Sequence, residues 1–196
     1  MGIAERKGRE RAEREHRIVT AARAIAEREG WDAVTIRRLA DEIEYSQPVL
    51  YSHFENRDAI VAAVAVEGFK DITVALQKAA NETTGRKALK NVAMAYLAFA
   101  LSRPALYEAM FVLPTNLRFA EAETAPELRA AFEALAVVVA PFCGDVAGVT
   151  ETFWAALHGL AELERSGRIR PKARDERIAF VVRAVAGSAS SSPARG

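Results

Sequence analysis

Apolar residues recur along nearly the whole chain with the period of an α-helix. Ile18, Ala21, Ala22, Ile25 and Ala26 fall at i, i+3, i+4, i+7 and i+8, one face of an amphipathic helix, and Gly30 stands where such a helix ends. Thr35 then precedes Ile36, Leu39, Ala40 and Ile43, so its hydroxyl can cap a short second helix. A third short helix starts near Ser46 and runs to about Phe54, with Pro48 in its first turn, where a missing N–H costs little. Asn56 is placed to cap a long fourth helix, roughly 57–80, carrying Ile60, Val61, Val64 and Phe69.

Past Gly85 the texture changes. Residues 91–102 contain no charged side chain, which predicts a helix buried on most sides. Pro104 starts a short helix through Phe111, and 114–124 is the most irregular stretch. Helices are predicted near 126–140, ended by Pro141 and Gly144, then over 146–165 and 173–187. The tail, 188–196, is small and polar and is expected to be disordered. No alternating run is long enough to demand a strand and no segment repeats, so the fold class is all-α with about nine helices.

Composition narrows the function classes. A 196-residue chain that is 51% hydrophobic can bury a real core, and its abundant alanine favours helix. No stretch of about 18 apolar residues lacks a charge, so no membrane span is expected. The Arg- and Glu-crowded start, Met1 to Arg17, does not read as a secretory signal. The single cysteine, Cys143, excludes an internal disulfide and fits a cytoplasmic location. The three histidines, His16, His53 and His158, have no metal-like spacing, and there is no phosphate loop or nucleophile elbow. No enzyme, metal or cofactor is therefore expected.

The stretch Thr35 to Asp58, TIRRLADEIEYSQPVLYSHFENRD, carries the chemistry. Its two short helices, joined by a tight turn at Glu44–Tyr45, cannot be stable alone and must pack on the first helix. What the third leaves outward is Gln47, Val49 in part, Tyr51, Ser52 and His53, hydrogen-bonding or methyl-bearing groups instead of the Lys and Glu of a solvated face. Such groups suit the major groove, whose base edges offer donors, acceptors and the thymine methyl. Charge gives no help: Lys and Arg balance Asp and Glu within residues 1–57, so any DNA affinity depends on where charges sit. Leader residues Arg6, Lys7, Arg9, Arg11 and Arg14 would suit an arm along DNA. Their alternation with Glu5, Glu10, Glu13 and Glu15 favours a salt-bridged or frayed helix extension.

The region Arg17 to Phe69 resembles the DNA-binding domain of the TetR family of repressors. The amphipathic first helix, the T-I-R-R-L-A second helix, the Q-P-V-L-Y-S-H-F recognition helix and the N-R-D-A-I start of the fourth all match. The resemblance implies that Gln47, Pro48 and Val49 face bases, with Ser46 beside them. It further implies that Tyr51, His53 and Arg57 hold phosphates and that Thr35 brings a backbone N–H to phosphate. Arg37 is placed to reach a guanine edge. Glu44 departs from the family, which has Gly at that turn; a left-handed Glu costs on the order of 1 kcal/mol.

Residues 80–187 resemble the ligand-binding and dimerisation half of the same family more loosely, chiefly through Trp154–x3–His158–Gly159. Trp154 and His158, one turn apart, are either packed core or a wall of an effector pocket. The other pocket candidates are Tyr96, Phe99, Tyr107, Met110, Phe111 and Phe132, and the scarcity of charge in 91–102 favours an apolar or aromatic effector of unknown identity. Two apolar stripes, Val149, Phe153, Leu157 and Leu160 and then Ile178, Val181, Val182 and Val185, are the expected homodimer interface, which a charge at Val181 should break. Two-fold pairing would set recognition helices about 34–36 Å apart on a palindromic operator. The expected organisation is a helix-turn-helix domain over 1–57, with 1–12 as a candidate flexible arm, and an effector and dimerisation domain over 58–187. The function so implied is a DNA-binding regulator, a repressor by family default. The competing reading is a helical protein-interaction module that no longer binds DNA.

Overall fold

The computed structural model describes residues 2–115, 117–118 and 124–187. Every regular element among them is helical: α1 (Ile3–Glu29), α2 (Ile36–Ile43), α3 (Gln47–Tyr51), α4 (Arg57–Asn81), α5 (Gly85–Ser102), α6 (Pro104–Phe111), α7 (Pro126–Val139), α8 (Val146–Arg165) and α9 (Arg174–Gly187). The all-α expectation holds, and the tail expected to be disordered lies outside the described residues.

Two compact units share α4: Met1–Gly68 with Arg103–Glu123, and Phe69–Ser102 with Thr124–Gly196. The boundary expected at 57/58 is thus displaced. The first turns of α4 belong with α1–α3, and so does α6, which sequence order had put in the second domain.

In the first unit, α1 begins well before its packed stretch. Glu5 Oε2 accepts the Gly2 N–H at 3.0 Å, and Arg6–Glu10 and Arg11–Glu15 pair at i, i+4. Residues 3–12 are therefore helical where a flexible arm over 1–12 was a candidate. Gly30, at φ 83°, ends the helix in the left-handed region that glycine alone adopts freely. Ile18, Ala22 and Ile25 of α1 are fully buried, as are Leu39, Leu50, Ile60 and Val64.

Helix α6 is clasped to the same core. Glu27 accepts the Ala105 and Leu106 N–H groups at 3.4 and 3.1 Å, placing a carboxylate at the positive end of α6. The Trp31 indole donates to the Ala105 carbonyl at 2.8 Å. Gly68 of α4 lets α6 approach closely, since a Cβ there would lie 2.6 Å from Met110 Sδ and 3.0 Å from Leu106 Cδ1. Both side chains are buried and must repack within the core, so Gly68→Val should cost about 1–3 kcal/mol in urea unfolding through overpacking.

In the second unit, α7, α8 and α9 all pack on α5. Leu89, Val92, Ala93, Tyr96, Leu97 and Ala100 are buried on α5, which accounts for the absence of charge over 91–102. Phe153 and Leu157 of α8, with Ile178, Val182 and Val185 of α9, are also buried within the protomer. These five were expected at the dimer interface. They fill the core of their own chain instead, because each stripe faces a neighbouring helix of the same unit. Val149, Leu160 and Val181 are half-buried. The outward face carries Thr152, Ala155 and Leu163 on α8, and Phe180 and Ala184 on α9, all exposed. No single helix among the described residues is long and apolar enough to cross a membrane.

Candidate nucleic-acid interface

The reading head is built by local rules. Thr35 Oγ1 accepts the Arg38 N–H at 3.1 Å and starts α2, while Asn56 Oδ1 accepts the Ala59 N–H at 2.9 Å and starts α4. Glu44 ends α2 at φ 57°, ψ 38°, left-handed as the family comparison of that turn implied. Helix α3 is only five residues long and is anchored by one fully buried side chain, Leu50. Everything else about α3 faces outward or sideways. Thr35, Arg37, Ser46, Gln47, Pro48 and Tyr51 are all exposed and Val49 is half-buried, with Tyr51 retaining 54% of its surface.

A large exposed aromatic beside an exposed amide, on a helix too short to exist without its neighbours, has no packing purpose. In chemical terms a phenol hydroxyl can donate to a phosphate oxygen and a side-chain amide can pair with a base edge. Gln47→Ala is expected to weaken operator binding about tenfold and to relax sequence preference at one base pair, whereas a phosphate contact would weaken all sequences alike. Fluorescence anisotropy against singly substituted duplexes separates the two.

Two of the residues expected on phosphate have other work in the structure. The Arg57 guanidinium donates from Nε to the Val34 carbonyl at 2.8 Å and from Nη2 to the Trp31 carbonyl at 2.7 Å. It closes the loop between α1 and α2, a long-range contact that no local pattern reveals. Arg57→Ala should therefore lower stability by about 2 kcal/mol, by stranding the Val34 carbonyl and by removing a charged donor from the Trp31 carbonyl, which keeps only the Val34 N–H, measured by chemical denaturation. The His53 side chain is 5% exposed, with Nδ1 3.3 Å from Glu15 Oε1, so it ties the end of α3 to α1.

Sequence reasoning missed a matching strut before α3. Arg17 Nη1 donates to Tyr45 Oη at 3.0 Å, and its guanidinium lies 5.0 Å from the Tyr45 ring centroid. It also missed the ion-pair cluster of Arg28 and Arg38 with Glu29 and Glu42, at 3.2–3.4 Å. Arg38 in particular holds the Glu29 carboxyl below the usual carboxylate range. Two acidic groups of the head, Glu29 and Glu42, are thereby ion-paired.

The residues proposed for an effector pocket divide between the units. Tyr107, Met110 and Phe111 lie on α6, in the first, where Tyr107 and Met110 are buried and the Tyr107 and Phe111 rings are 4.8 Å apart. Tyr96, Phe99, Phe132, Trp154 and His158 lie in the second. There Trp154 Nε1 donates to Tyr96 Oη at 3.0 Å, and the Trp154 and His158 rings are 6.4 Å apart. Burial pushes the His158 imidazole below the usual histidine range, with Arg165 acting the same way and Glu162 opposing. One turn before Trp154, the buried Thr150 Oγ1 has no hydrogen-bond partner. Gly159 stands on the outer side of α8, and a Cβ there would meet nothing within 4 Å.

A head of this kind, with a left-handed turn between α2 and α3 and an outward polar face on α3, defines a helix-turn-helix DNA-binding protein. Residues 18–64 match the model of bacterial regulatory proteins of the tetR family, and residues 89–185 match the tetracyclin repressor-like C-terminal domain. The uncharacterized HTH-type transcriptional regulator Rv0681 of Mycobacterium tuberculosis is 32% identical over 152 residues, 76% of this chain and 69% of that protein. The chain belongs to the TetR family and is a DNA-binding transcriptional regulator. A protein of unknown function from Rhodococcus sp. RHA1 shares the fold with a TM-score of 0.73 at 25% identity, over 89% of this chain and 95% of that one. A TetR from Acinetobacter baumannii AYE, in complex with minocycline, superposes with a TM-score of 0.61 at 18% identity, over 87% and 92%.

Proposed function

We propose that this regulator is a cytoplasmic homodimeric repressor, released from a palindromic double-stranded DNA operator by a small, largely apolar effector. The observation that carries the DNA half is the exposed, uncharged face of α3, Gln47, Pro48 and Tyr51, with Val49 beside it and Ser46, Thr35 and Arg37 at its margins. For the effector, Tyr96, Phe99, Phe132, Trp154 and His158 supply an aromatic wall, and the unpartnered Thr150 hydroxyl supplies a polar handle. The neutral His158 favoured by burial adds one donor and one acceptor without a charge. A fold neighbour in complex with minocycline supports looking for an aromatic effector. Any displacement of α6 would reach the reading head through Glu27, Trp31 and Gly68, so population shift toward a displaced α6 is a route to release.

For the dimer, the outward faces of α8 and α9 now replace the buried stripes as the proposed interface, joined by the half-buried Val149, Leu160 and Val181. The test is selection of a duplex from a randomised pool by the full-length protein, followed by anisotropy at two salt concentrations with and without small aromatic compounds. A palindrome with half-sites one helical turn apart, bound in a salt-sensitive way and released by a compound, supports the proposal. Selection of no preferred sequence would overturn it.

A further inference from the structure

We propose that the leader of α1, residues 3–16, is a second DNA-contact element, in which Lys7, Arg11 and Arg14 grip backbone phosphates beside the reading helix. This rests on the DNA-binding reading of α3. From Ala4 onward the first buried side chain of the 27-residue α1 is Ile18, and Ala4 to Arg14 are all exposed. Four turns of helix, about 20 Å, thus extend with no core to pack on. Core formation does not explain them.

Helical phase shows which way the cations face. Lys7, Arg11 and Arg14 fall at i, i+4 and i+7, and the same stripe continues as Ile18, Ala22 and Ile25, all fully buried against the rest of the head. The side of α1 that meets the head therefore turns cationic where the head ends. Two contacts locate α3 on this helix: Glu15 reaches His53 just after it and Arg17 reaches Tyr45 just before it. The leader emerges past α3 with its cationic stripe on the side where α3 lies.

The carboxylates are disposed differently. Glu5 and Glu13 fall on the opposite half of the helix, and Glu10 is paired with Arg6. Glu15 is taken up by His53 and Arg11. The Arg11–Glu15 pair is solvent-exposed and worth little, so Arg11 can exchange that carboxylate for phosphate. Within residues 1–57, Glu29 and Glu42 pair with Arg28 and Arg38, while Lys7, Arg14 and Arg37 are exposed, as are the acidic Asp41, Glu44 and Glu55. Flexible cations on a helix outside the groove fit phosphate and not base edges, so the contribution is independent of sequence.

The experiment compares two charge-matched full-length variants, Lys7→Gln/Arg14→Gln on the stripe and Arg6→Gln/Arg9→Gln off it. The probes are a duplex selected by the wild-type protein and a scrambled duplex of equal length. The stripe variant should lose at least about tenfold in affinity for both duplexes at low salt, with a log–log salt slope shallower by roughly 2–4 per dimer. The off-stripe variant should stay close to wild type. Equal losses in both variants, or no loss in the stripe variant with helix content unchanged by circular dichroism, would overturn the proposal. Wild-type binding without sequence preference or salt dependence would instead overturn the DNA-binding reading beneath it.

Discussion

Leu163→Glu/Phe180→Glu should leave a folded monomer that has lost on the order of a thousandfold in operator affinity. Phe180 and Leu163 expose 66% and 39% of their surface on adjacent helices at the end of the chain. Around them α8 presents small residues, Thr152, Ala155, Ala156 and Gly159. The site of a Gly159 Cβ is open, so nothing within the protomer requires glycine there, whereas close approach of a second α8 would. Exposed apolar side chains on a face of small residues mark an association surface. A carboxylate at each position would place like charges against one another across a two-fold axis. Losing the partner removes one half-site, which brings affinity toward the non-specific level, typically at least about a thousandfold weaker. Sedimentation equilibrium and anisotropy read the two effects separately. A persistent dimer would refute the interface. Val181, the substitution suggested by sequence, is half-buried, so a charge there would mix unfolding with dissociation.

The second large effect is on stability. Glu164 is a buried carboxylate on α8 that accepts from Arg174, in a very short contact with Nη2, and from Arg177 Nη2 at 3.3 Å on α9. Glu164→Ala would leave both guanidinium groups without their counter-ion, costing about 3 kcal/mol, less than for wholly buried partners because both arginines keep some solvent contact. The Arg174 hydrogen bond holds the Glu164 carboxyl below the usual range, helped by the charges of Arg174 and Arg177 and opposed by burial. Between the lowered folded value and the ordinary value of 4.5, the unfolded chain binds the extra proton, so stability is complete above pH 4.5 and falls as pH drops below it. Urea midpoints from pH 6 to pH 3 should show this slope in the wild type and a flatter one in Glu164→Gln. An equal slope in both would reject Glu164 as its source.

Much of the head was legible in the sequence because its rules are local. Thr35 and Asn56 cap the helices that follow them, Glu44 takes the left-handed turn, and Pro48 sits in the first turn of α3. The period of Ile18, Ala22 and Ile25 gave the buried face of α1, and the charge-free run 91–102 gave the buried α5. Gln47, Tyr51 and Ser52 were identifiable as outward from the polar character of α3, and Pro48 through the family resemblance, whereas His53, read as outward too, turns its ring in toward Glu15.

Only the tertiary structure decided the partners of those faces. Periodicity shows that Phe153, Leu157, Ile178 and Val182 must be covered, but not whether by their own chain or by a second one; packing on α5 settles it for the protomer. A helix such as α8, with small and apolar residues on both sides, has two coverable faces of similar sequence character. Long polar side chains are harder still, since Arg57 finds carbonyls of Trp31 and Val34, and Glu27 finds the start of α6, across separations that no sequence window spans. The sequence by itself determined which segments are helices and which side of each is apolar, because backbone propensity and capping act over a few residues. Which apolar side meets which neighbour, and where each charge ends, was decided by the fold, because those energies exist only once distant segments are in contact.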